Sequence, residues 1–189
     1  MRSETQVRYL NIPNSLSVIR IVCAPVLVLL LLSPDRLLSV AAAAIFALVC
    51  ATDWLDGYLA RRWSSVTTLG KFLDPLADKI IITTVLIMLI PSGRIPAWAV
   101  AILISREMAV TGLRAIAVDM GVVIAASRLG KWKTFMQIVA IVSLLLHYPF
   151  FGVDFQSIGL VLFAAALILT VWSGIDYFVA FFRGAGRSV

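Results

Sequence analysis

Residues 52–79 read TDWLDGYLARRWSSVTTLGKFLDPLADK and hold four of the ten acidic residues of the chain, at positions 53, 56, 74 and 78. The remainder of the 189-residue chain is mostly apolar: 61% of all residues are hydrophobic and only 14% are charged. The mean hydropathy is +1.02. A soluble domain needs a polar surface that such a composition hardly provides. The composition therefore predicts an integral membrane protein that places several carboxylates together.

Six apolar runs surround or include this stretch, and each approaches the roughly 20 residues that cross a bilayer as a helix. Turn-forming segments separate them, such as SPDR from residue 33, PSGRIP from residue 91 and HYPFFGVD from residue 147. The runs cover residues 16–33, 37–59, 72–90, 95–118, 133–151 and 155–182. The sequence predicts an all-α integral membrane protein, a bundle of six transmembrane helices that forms a single domain over residues 1–189.

The basic residues are distributed unevenly between the two sets of predicted helix ends. The loops on one side offer only Arg36 and Arg94. The opposite ends hold Arg2, Arg8, Arg61, Arg62, Lys71, Arg128, Lys131, Lys133, Arg183 and Arg187. By the positive-inside rule, both termini are expected in the cytoplasm. The net charge of +6 suits an anionic membrane surface or an anionic substrate equally well, so it does not choose between them.

The two pairs of acids are predicted to lie at one depth of the bundle. Asp53 and Asp56 are spaced i, i+3 near the cytoplasmic end of the second helix, and Asp74 and Asp78 are spaced i, i+4 at the start of the third. Each pair therefore shares a helix face. Several negative charges in a partly dry site repel one another strongly unless cations are present. Carboxylate oxygens are the ligands that Mg²⁺ prefers, together with phosphates and water, so the pattern indicates a divalent metal site.

An alternative interpretation makes these acids solvated helix ends or partners of the neighbouring cations. Those cations are Arg61, Arg62, Lys71 and Lys79. This interpretation is adequate for any one of the acids but not for all four, because Gly57 and Ala60 lie beside them on the same turns. Small residues let a ligand or a neighbouring backbone approach closely. The composition of the stretch therefore favours a binding site.

The spacing D-x2-D-G-x2-A-R-x8-G-x3-D-x3-D resembles the signature of the CDP-alcohol phosphatidyltransferases at all eight specified positions. These positions are Asp53, Asp56, Gly57, Ala60, Arg61, Gly70, Asp74 and Asp78. Eight residue types at defined spacing make a chance match improbable, unlike a short motif. The resemblance implies six transmembrane helices, a homodimer and an active site that faces the cytoplasm. It also implies transfer of a phosphatidyl group from CDP-diacylglycerol to an alcohol, with release of CMP.

The resemblance also implies roles for individual residues. Asp53, Asp56 and Asp74 match the ligands of a divalent metal pair, Mg²⁺ or Mn²⁺, and Asp78 matches a residue that completes this shell and acts as the general base. The positions that match contacts to the CDP-lipid are Asn14, Gly57, Ala60, Arg61, Thr67 and Gly70. Asn14 equally suits an N-cap of the first helix.

Three further segments resemble the phosphatidylglycerophosphate synthase branch of the family: NIPNSLSVIRIVCAPVLVLLL, SREMAVTGLRAIA and LGKWKTFMQIVA. That branch implies glycerol 3-phosphate as the acceptor and the bacterial cytoplasmic membrane as the location. A phosphorylated acceptor needs cationic partners, and an arginine within an apolar helix is costly without a purpose. The candidates for binding the acceptor phosphate are Arg106, Arg114, Lys131 and Lys133. A salt bridge with Glu107 is the alternative for Arg106, and a topological role is the alternative for the other three.

Two competing functions remain open at the level of the sequence. One is a sister phosphatidyltransferase whose acceptor is inositol phosphate, serine or phosphatidylglycerol. The other is a cation transporter, because ion pathways also use carboxylates inside helix bundles. The acids cluster at one end of the bundle, and the helices show no broken segments in paired halves, so the pattern favours the enzyme. No nucleic-acid partner is expected.

Overall fold

A computed structural model describes residues 12–63, 68–120, 128–150 and 152–185. Within these ranges the chain forms six α-helices and one short β-hairpin. The helices are α1 (Ile12–Leu31), α2 (Arg36–Trp63), α3 (Thr68–Leu89), α4 (Ala97–Asp119), α5 (Arg128–Leu146) and α6 (Phe155–Ala185). The mostly helical fold is thus confirmed, and the predicted runs differ from the helices mainly at their ends.

The chain divides into two compact units, Met1–Met88 and Leu89–Val189. In the first unit α1 packs against α2, and their buried apolar side chains include Leu27 and Phe46. In the second unit α6 packs against both α4 and α5, with Leu103, Ile141 and Phe163 among the buried side chains. Burial of such side chains stabilises each unit. The single domain over residues 1–189 stays a prediction.

Aspartates begin two of the helices. The backbone N–H of Leu38 donates to Oδ1 of Asp35 at 3.0 Å in the first turn of α2. Before α6, Oδ1 of Asp154 accepts from the backbone N–H groups of Gln156 and Ser157 at 3.0 and 3.3 Å. The hydroxyl and N–H of Ser157 lower the pKa of Asp154 from its ordinary value. Both aspartates therefore satisfy backbone donors that the first helical turn leaves without partners.

The segment PSGRIP ends α3 with a glycine in the left-handed conformation. Gly93 has φ +68°. Its N–H donates to the carbonyl of Ile90 at 2.9 Å, and the N–H of Arg94 donates to the carbonyl of Leu89 at 3.2 Å. This pair of bonds is the Schellman pattern, which closes a helix by satisfying its last carbonyls. Glycine adopts that backbone without the steric cost of a side chain, which explains why the helix stops here.

A β-hairpin connects α5 to α6, and the sequence did not predict it. Its strands, β1 (Pro149–Phe150) and β2 (Val153–Asp154), pair antiparallel with Pro149 opposite Asp154. The fifth predicted run extended to residue 151, whereas α5 ends at Leu146. Proline lacks the N–H that a helix requires and clashes with the preceding turn, so Pro149 prevents the helix from continuing.

Helix α6 is long and apolar enough to cross a membrane. Its segment Phe155–Arg183 covers 29 residues and contains an 18-residue window with a mean hydropathy of 2.3. At ~1.5 Å per residue the segment exceeds a hydrocarbon core of ~30 Å. In the described part of the chain it is the one helix that meets this test. It exposes large apolar side chains, among them Val161, Ile168, Trp172 and Phe182. Such a surface suits contact with lipid and indicates a membrane protein.

Candidate functional site

The four acids of the signature lie on the two helices that the sequence predicts for them. Helix α2 carries Asp53 and Asp56, and α3 carries Asp74 and Asp78. Their spacing places the members of each pair on one face of their own helix. Among these four side chains the structure describes only that of Asp78. The side chains of the other three acids, Asp53, Asp56 and Asp74, lie outside the part of the chain whose side chains the structure describes.

Asp78 forms an ion pair with an arginine of α1. Nη1 of Arg20 lies 3.0 Å from Oδ1 of Asp78; the Arg20 side chain is 5% exposed, whereas that of Asp78 is 42% exposed. A buried guanidinium thus lies close to one oxygen of a carboxylate that remains partly accessible. The sequence interpretation missed Arg20, although an arginine within an apolar run needs a partner or a purpose.

The donor chemistry at this position suits a hard divalent cation. Asp78 offers a partly accessible carboxylate, and hard cations prefer such oxygen ligands. The described side chains include no group of three or more His, Cys, Asp or Glu residues that could hold a metal ion. The metal-binding roles of Asp53, Asp56, Asp74 and Asp78 therefore stay predictions.

The positions assigned to the CDP-lipid lie mainly on the same helices. Asn14 lies in the first turn of α1 and Gly70 in the first turn of α3. Three more, Gly57, Ala60 and Arg61, lie in α2. Thr67 lies outside the described residues. The structure describes none of these side chains, so their contact with the CDP-lipid stays a prediction.

The second unit contains a compact group of charged and polar side chains, named here the cation cluster: Arg106 and Glu107 of α4, Lys133 of α5 and Ser173 of α6. Nη1 of Arg106 donates to Oε1 of Glu107 at 3.0 Å. Nζ of Lys133 donates to the same oxygen. Nη2 of Arg106 donates to Oγ of Ser173 at 2.8 Å. Three helices thus bring together two cations that the sequence nominates, and Ser173 is an addition to the prediction.

The cation cluster is shielded from solvent. The side chains of Arg106 and Lys133 are 14% and 8% exposed. Nε of Arg106 is buried and has no hydrogen-bond partner among the described residues. Charge-assisted hydrogen bonds are stronger in such surroundings than in water. The salt bridge between Arg106 and Glu107, which the sequence offered as the alternative to phosphate binding, is present, and Lys133 joins it. Binding of the acceptor's phosphate stays a prediction.

The other two acceptor candidates are placed differently. Arg114 lies two helical turns beyond Arg106 on α4, and its Cζ atom lies 5.7 Å from the ring centroid of Tyr177 on α6. This geometry is a cation–π contact. Lys131 belongs to the first turn of α5, but its side chain lies outside those that the structure describes.

A third buried arginine, Arg94, has backbone partners. Arg94 is 7% exposed, and its Nη1 donates to the carbonyl oxygens of Leu144 and Leu145 at 3.5 and 3.3 Å. The side-chain amide of Gln156 donates to the Arg94 carbonyl at 2.9 Å. Burial lowers the pKa of Arg94, and Tyr148 partly offsets this effect. A cation at the C-terminal end of α5 stabilises that helix end, so Arg94 has a structural role.

The profile of the CDP-alcohol phosphatidyltransferase family matches residues 10–172. The chain belongs to this family, and the family predicted from the signature is confirmed.

Relatives similar to nearly the whole chain carry a more specific name. A CDP-diacylglycerol–glycerol-3-phosphate 3-phosphatidyltransferase of Bacillus subtilis is 44% identical over 181 residues, which cover 89% of this chain and 93% of the relative. The protein of that name in Rickettsia typhi is 36% identical over 171 residues, 90% of this chain and 96% of the relative. A probable phosphatidylglycerophosphate synthase of Mycobacterium tuberculosis H37Rv is 41% identical over 182 residues, 95% of this chain and 85% of the relative.

Proposed function

We propose that this protein transfers a phosphatidyl group from CDP-diacylglycerol to glycerol 3-phosphate, giving phosphatidylglycerophosphate and CMP in phospholipid biosynthesis. One observation carries the proposal: the Bacillus subtilis relative named for this reaction is 44% identical over 89% of the chain. The reaction predicted from the sequence is the reaction in that name.

The acceptor's 1-hydroxyl oxygen forms a new bond to the lipid-side phosphorus of the donor. The bond between that phosphorus and the bridging oxygen breaks, and CMP leaves with the electron pair. Asp78 takes the proton of the attacking hydroxyl, as a general base must be accessible to its substrate. The partial exposure of Asp78 supports this role, because it leaves the carboxylate reachable.

The four signature acids, Asp53, Asp56, Asp74 and Asp78, are the residues we assign to divalent metal binding, with two Mg²⁺ or Mn²⁺ ions per site. Enzymes of this family generally depend on a divalent metal. When bound, the ions neutralise the donor's pyrophosphate and stabilise the departing CMP. The chemistry of four carboxylates on two helices supports this assignment.

The CDP-lipid positions divide by side-chain type. Gly57, Ala60 and Gly70 are small enough to let a nucleotide approach the backbone, and Arg61 offers a cation to the pyrophosphate. Asn14 and Thr67 offer polar groups that form hydrogen bonds. All six remain assignments from the family resemblance.

The acceptor's phosphate is assigned to Arg106, Arg114, Lys131 and Lys133. The cation cluster supports this assignment for Arg106 and Lys133, because both contact one carboxylate oxygen of Glu107 and together with it carry a net positive charge. A phosphate dianion suits such a site, since charge-assisted hydrogen bonds to its oxygens add to the electrostatic attraction. For Arg114 and Lys131 the support is their position on the same two helices.

The surroundings of the enzyme complete the proposal. We place it in the bacterial cytoplasmic membrane as a homodimer with six spans, both termini in the cytoplasm and an active site that faces the cytoplasm. The membrane-length helix α6 and the bacterial relatives support the membrane location. The basic residues near the predicted cytoplasmic helix ends support the orientation.

An acceptor panel tests the proposal against its sister reactions. Purified protein, CDP-diacylglycerol and Mg²⁺ are incubated separately with glycerol 3-phosphate, inositol phosphate, serine or phosphatidylglycerol, and the lipid products are identified by mass spectrometry. We expect phosphatidylglycerophosphate with the first acceptor and at most trace product with the others. A dominant product from another acceptor would contradict the assigned acceptor while leaving the transfer chemistry in place.

A further inference from the structure

The cation cluster depends on a small stretch of α6 that the sequence did not nominate. Ser173 and Gly174 lie within the segment VWSGIDY, residues 171–177. Ser173 accepts a hydrogen bond from Nη2 of Arg106 at 2.8 Å, and its own hydroxyl donates to the carbonyl oxygen of Thr170 at 3.2 Å. The backbone of α6 therefore fixes the hydroxyl, and the hydroxyl fixes one end of the guanidinium.

Gly174 supplies the space in which the Arg106 side chain lies. A methyl group at this position would stand 2.9 Å from Nε and 3.1 Å from Cγ of Arg106. A carbon atom does not approach a non-bonded carbon or nitrogen atom so closely without displacement. A side chain at residue 174 would therefore displace Arg106 from its present position against α6.

We propose that Ser173 and Gly174 are positioning residues for the acceptor's phosphate: they hold the Arg106 guanidinium beside Glu107 and thereby set the affinity for glycerol 3-phosphate. The inference rests on the proposed function, because it takes Arg106 as a phosphate ligand. Neither residue touches the substrate in this account. Both act through Arg106.

A second glycine of the same helix shows what an ordinary packing role looks like. A methyl group at Gly159 would stand 2.8 Å from Cγ and 3.0 Å from the backbone nitrogen of Leu144 on α5. Backbone cannot move as easily as a side chain, so this substitution disturbs the contact between α5 and α6. At Gly174 the nearest atoms all belong to the Arg106 side chain, which can rotate away. Substitution of Gly174 therefore tests the position of Arg106, whereas substitution of Gly159 tests the packing of α5 against α6.

The experiment compares Gly174→Ala with Gly159→Ala in purified full-length protein. For Gly174→Ala we expect KM for glycerol 3-phosphate to rise about tenfold, a change that corresponds to one displaced charge-assisted contact. Its KM for CDP-diacylglycerol and its thermal denaturation midpoint should stay near those of the wild type. For Gly159→Ala we expect a lower denaturation midpoint and two unchanged KM values.

Ser173→Ala is the second variant, and it introduces no steric conflict because it only removes an atom. We expect it to raise KM for glycerol 3-phosphate about three- to tenfold, since one hydrogen bond to Arg106 is lost. Inorganic phosphate, used as a competitive inhibitor against glycerol 3-phosphate, provides a readout without the glycerol moiety. Its inhibition constant should rise in parallel with KM in both α6 variants.

Three results would contradict the inference, and they are distinguishable. If Arg106→Gln raises KM for glycerol 3-phosphate but Gly174→Ala and Ser173→Ala do not, the positioning role is wrong and the phosphate ligand stands. If Arg106→Gln also leaves KM unchanged in an active enzyme, the positioning role fails together with the assignment of Arg106. If the wild-type protein does not use glycerol 3-phosphate at all, the proposed function itself fails.

Discussion

The ion pair of the first unit joins one cation to one acid, whereas the cation cluster of the second unit joins two cations to one acid. In the first, buried Arg20 of α1 contacts Asp78, whose carboxylate is 42% exposed. In the second, Arg106 and Lys133 both contact one oxygen of Glu107. The first arrangement presents an accessible acid, whereas the second concentrates positive charge. The proposed general base and the proposed phosphate ligands therefore belong to different units of the chain.

The largest expected effect is a loss of turnover when the signature acids of α2 and α3 are substituted. Asp53→Asn, Asp56→Asn or Asp74→Asn should each lower kcat by at least about a hundredfold, because an amide is a poor ligand for a hard cation and metal binding contributes several kcal/mol to catalysis. The measurement is the rate of CMP release by purified variants. Exhaustive EDTA treatment should silence the wild-type enzyme in the same assay.

Asp35→Asn is the matched control for these variants. Asp35 lies at the start of α2, where its oxygen accepts from the N–H of Leu38, and asparagine caps helices equally well. This control should keep wild-type turnover. Wild-type turnover in one of the three test variants would remove that residue from the proposed metal site, and activity after EDTA treatment would contradict the metal requirement.

The next largest effect is expected on KM for glycerol 3-phosphate when the cation cluster loses a charge. Arg106→Gln should raise KM for glycerol 3-phosphate about ten- to a hundredfold and leave KM for CDP-diacylglycerol unchanged, because a charge-assisted contact contributes roughly 1.5–3 kcal/mol. Arg61→Ala should raise KM for the CDP-lipid instead. Steady-state kinetics with each substrate varied in turn provide the measurement. Equal changes in both KM values for Arg106→Gln would indicate general damage to the fold. They would contradict a specific role of Arg106 in binding the acceptor.

A smaller effect is expected where a buried arginine has backbone partners. Arg94→Ala removes a cation that donates to the carbonyl oxygens of Leu144 and Leu145. The free energy of unfolding should fall by about 1–3 kcal/mol, because buried acceptors lose a charged donor. Thermal denaturation in detergent measures the change, and both KM values should remain those of the wild type. A raised KM for glycerol 3-phosphate would show that Arg94 is not purely structural.

The smallest effect is a pH dependence at the junction between α5 and the hairpin. Burial lowers the pKa of His147 from 6.5; its hydrogen bond to the carbonyl oxygen of Leu145 raises the pKa, and the Arg94 cation lowers it. The unfolded chain therefore binds more protons than the folded one below about pH 6.5, so stability is complete above that pH and declines as the pH falls. His147→Gln should remove this slope between pH 7.5 and 5.5. An unchanged slope in the variant would assign it to other groups.

The sequence predicted those features that depend on local pattern. Apolar runs of membrane length located the helices, and the spacing of the signature acids identified the family. The α5 end was wrong because the run of apolar residues continues past Leu146, while the proline that stops the helix lies three residues later.

Local sequence patterns did not predict contacts between residues that are far apart in the sequence. Arg106 and Ser173 are 67 positions apart, and their hydrogen bond exists because α4 packs against α6 with a glycine at the crossing. Arg20 was overlooked for the same reason, since its partner Asp78 lies two helices further along the chain. Such pairs depend on how helices pack, which periodicity alone does not specify.

The dependence of CMP release on glycerol 3-phosphate tests the central claim most directly. Purified protein with CDP-diacylglycerol and Mg²⁺ or Mn²⁺ is assayed for CMP and for labelled glycerol 3-phosphate incorporated into lipid. The proposed transfer predicts negligible CMP without the acceptor and, with it, equal molar amounts of CMP and phosphatidylglycerophosphate. CMP released at the same rate without glycerol 3-phosphate, or no incorporation of label into lipid, would contradict the claim.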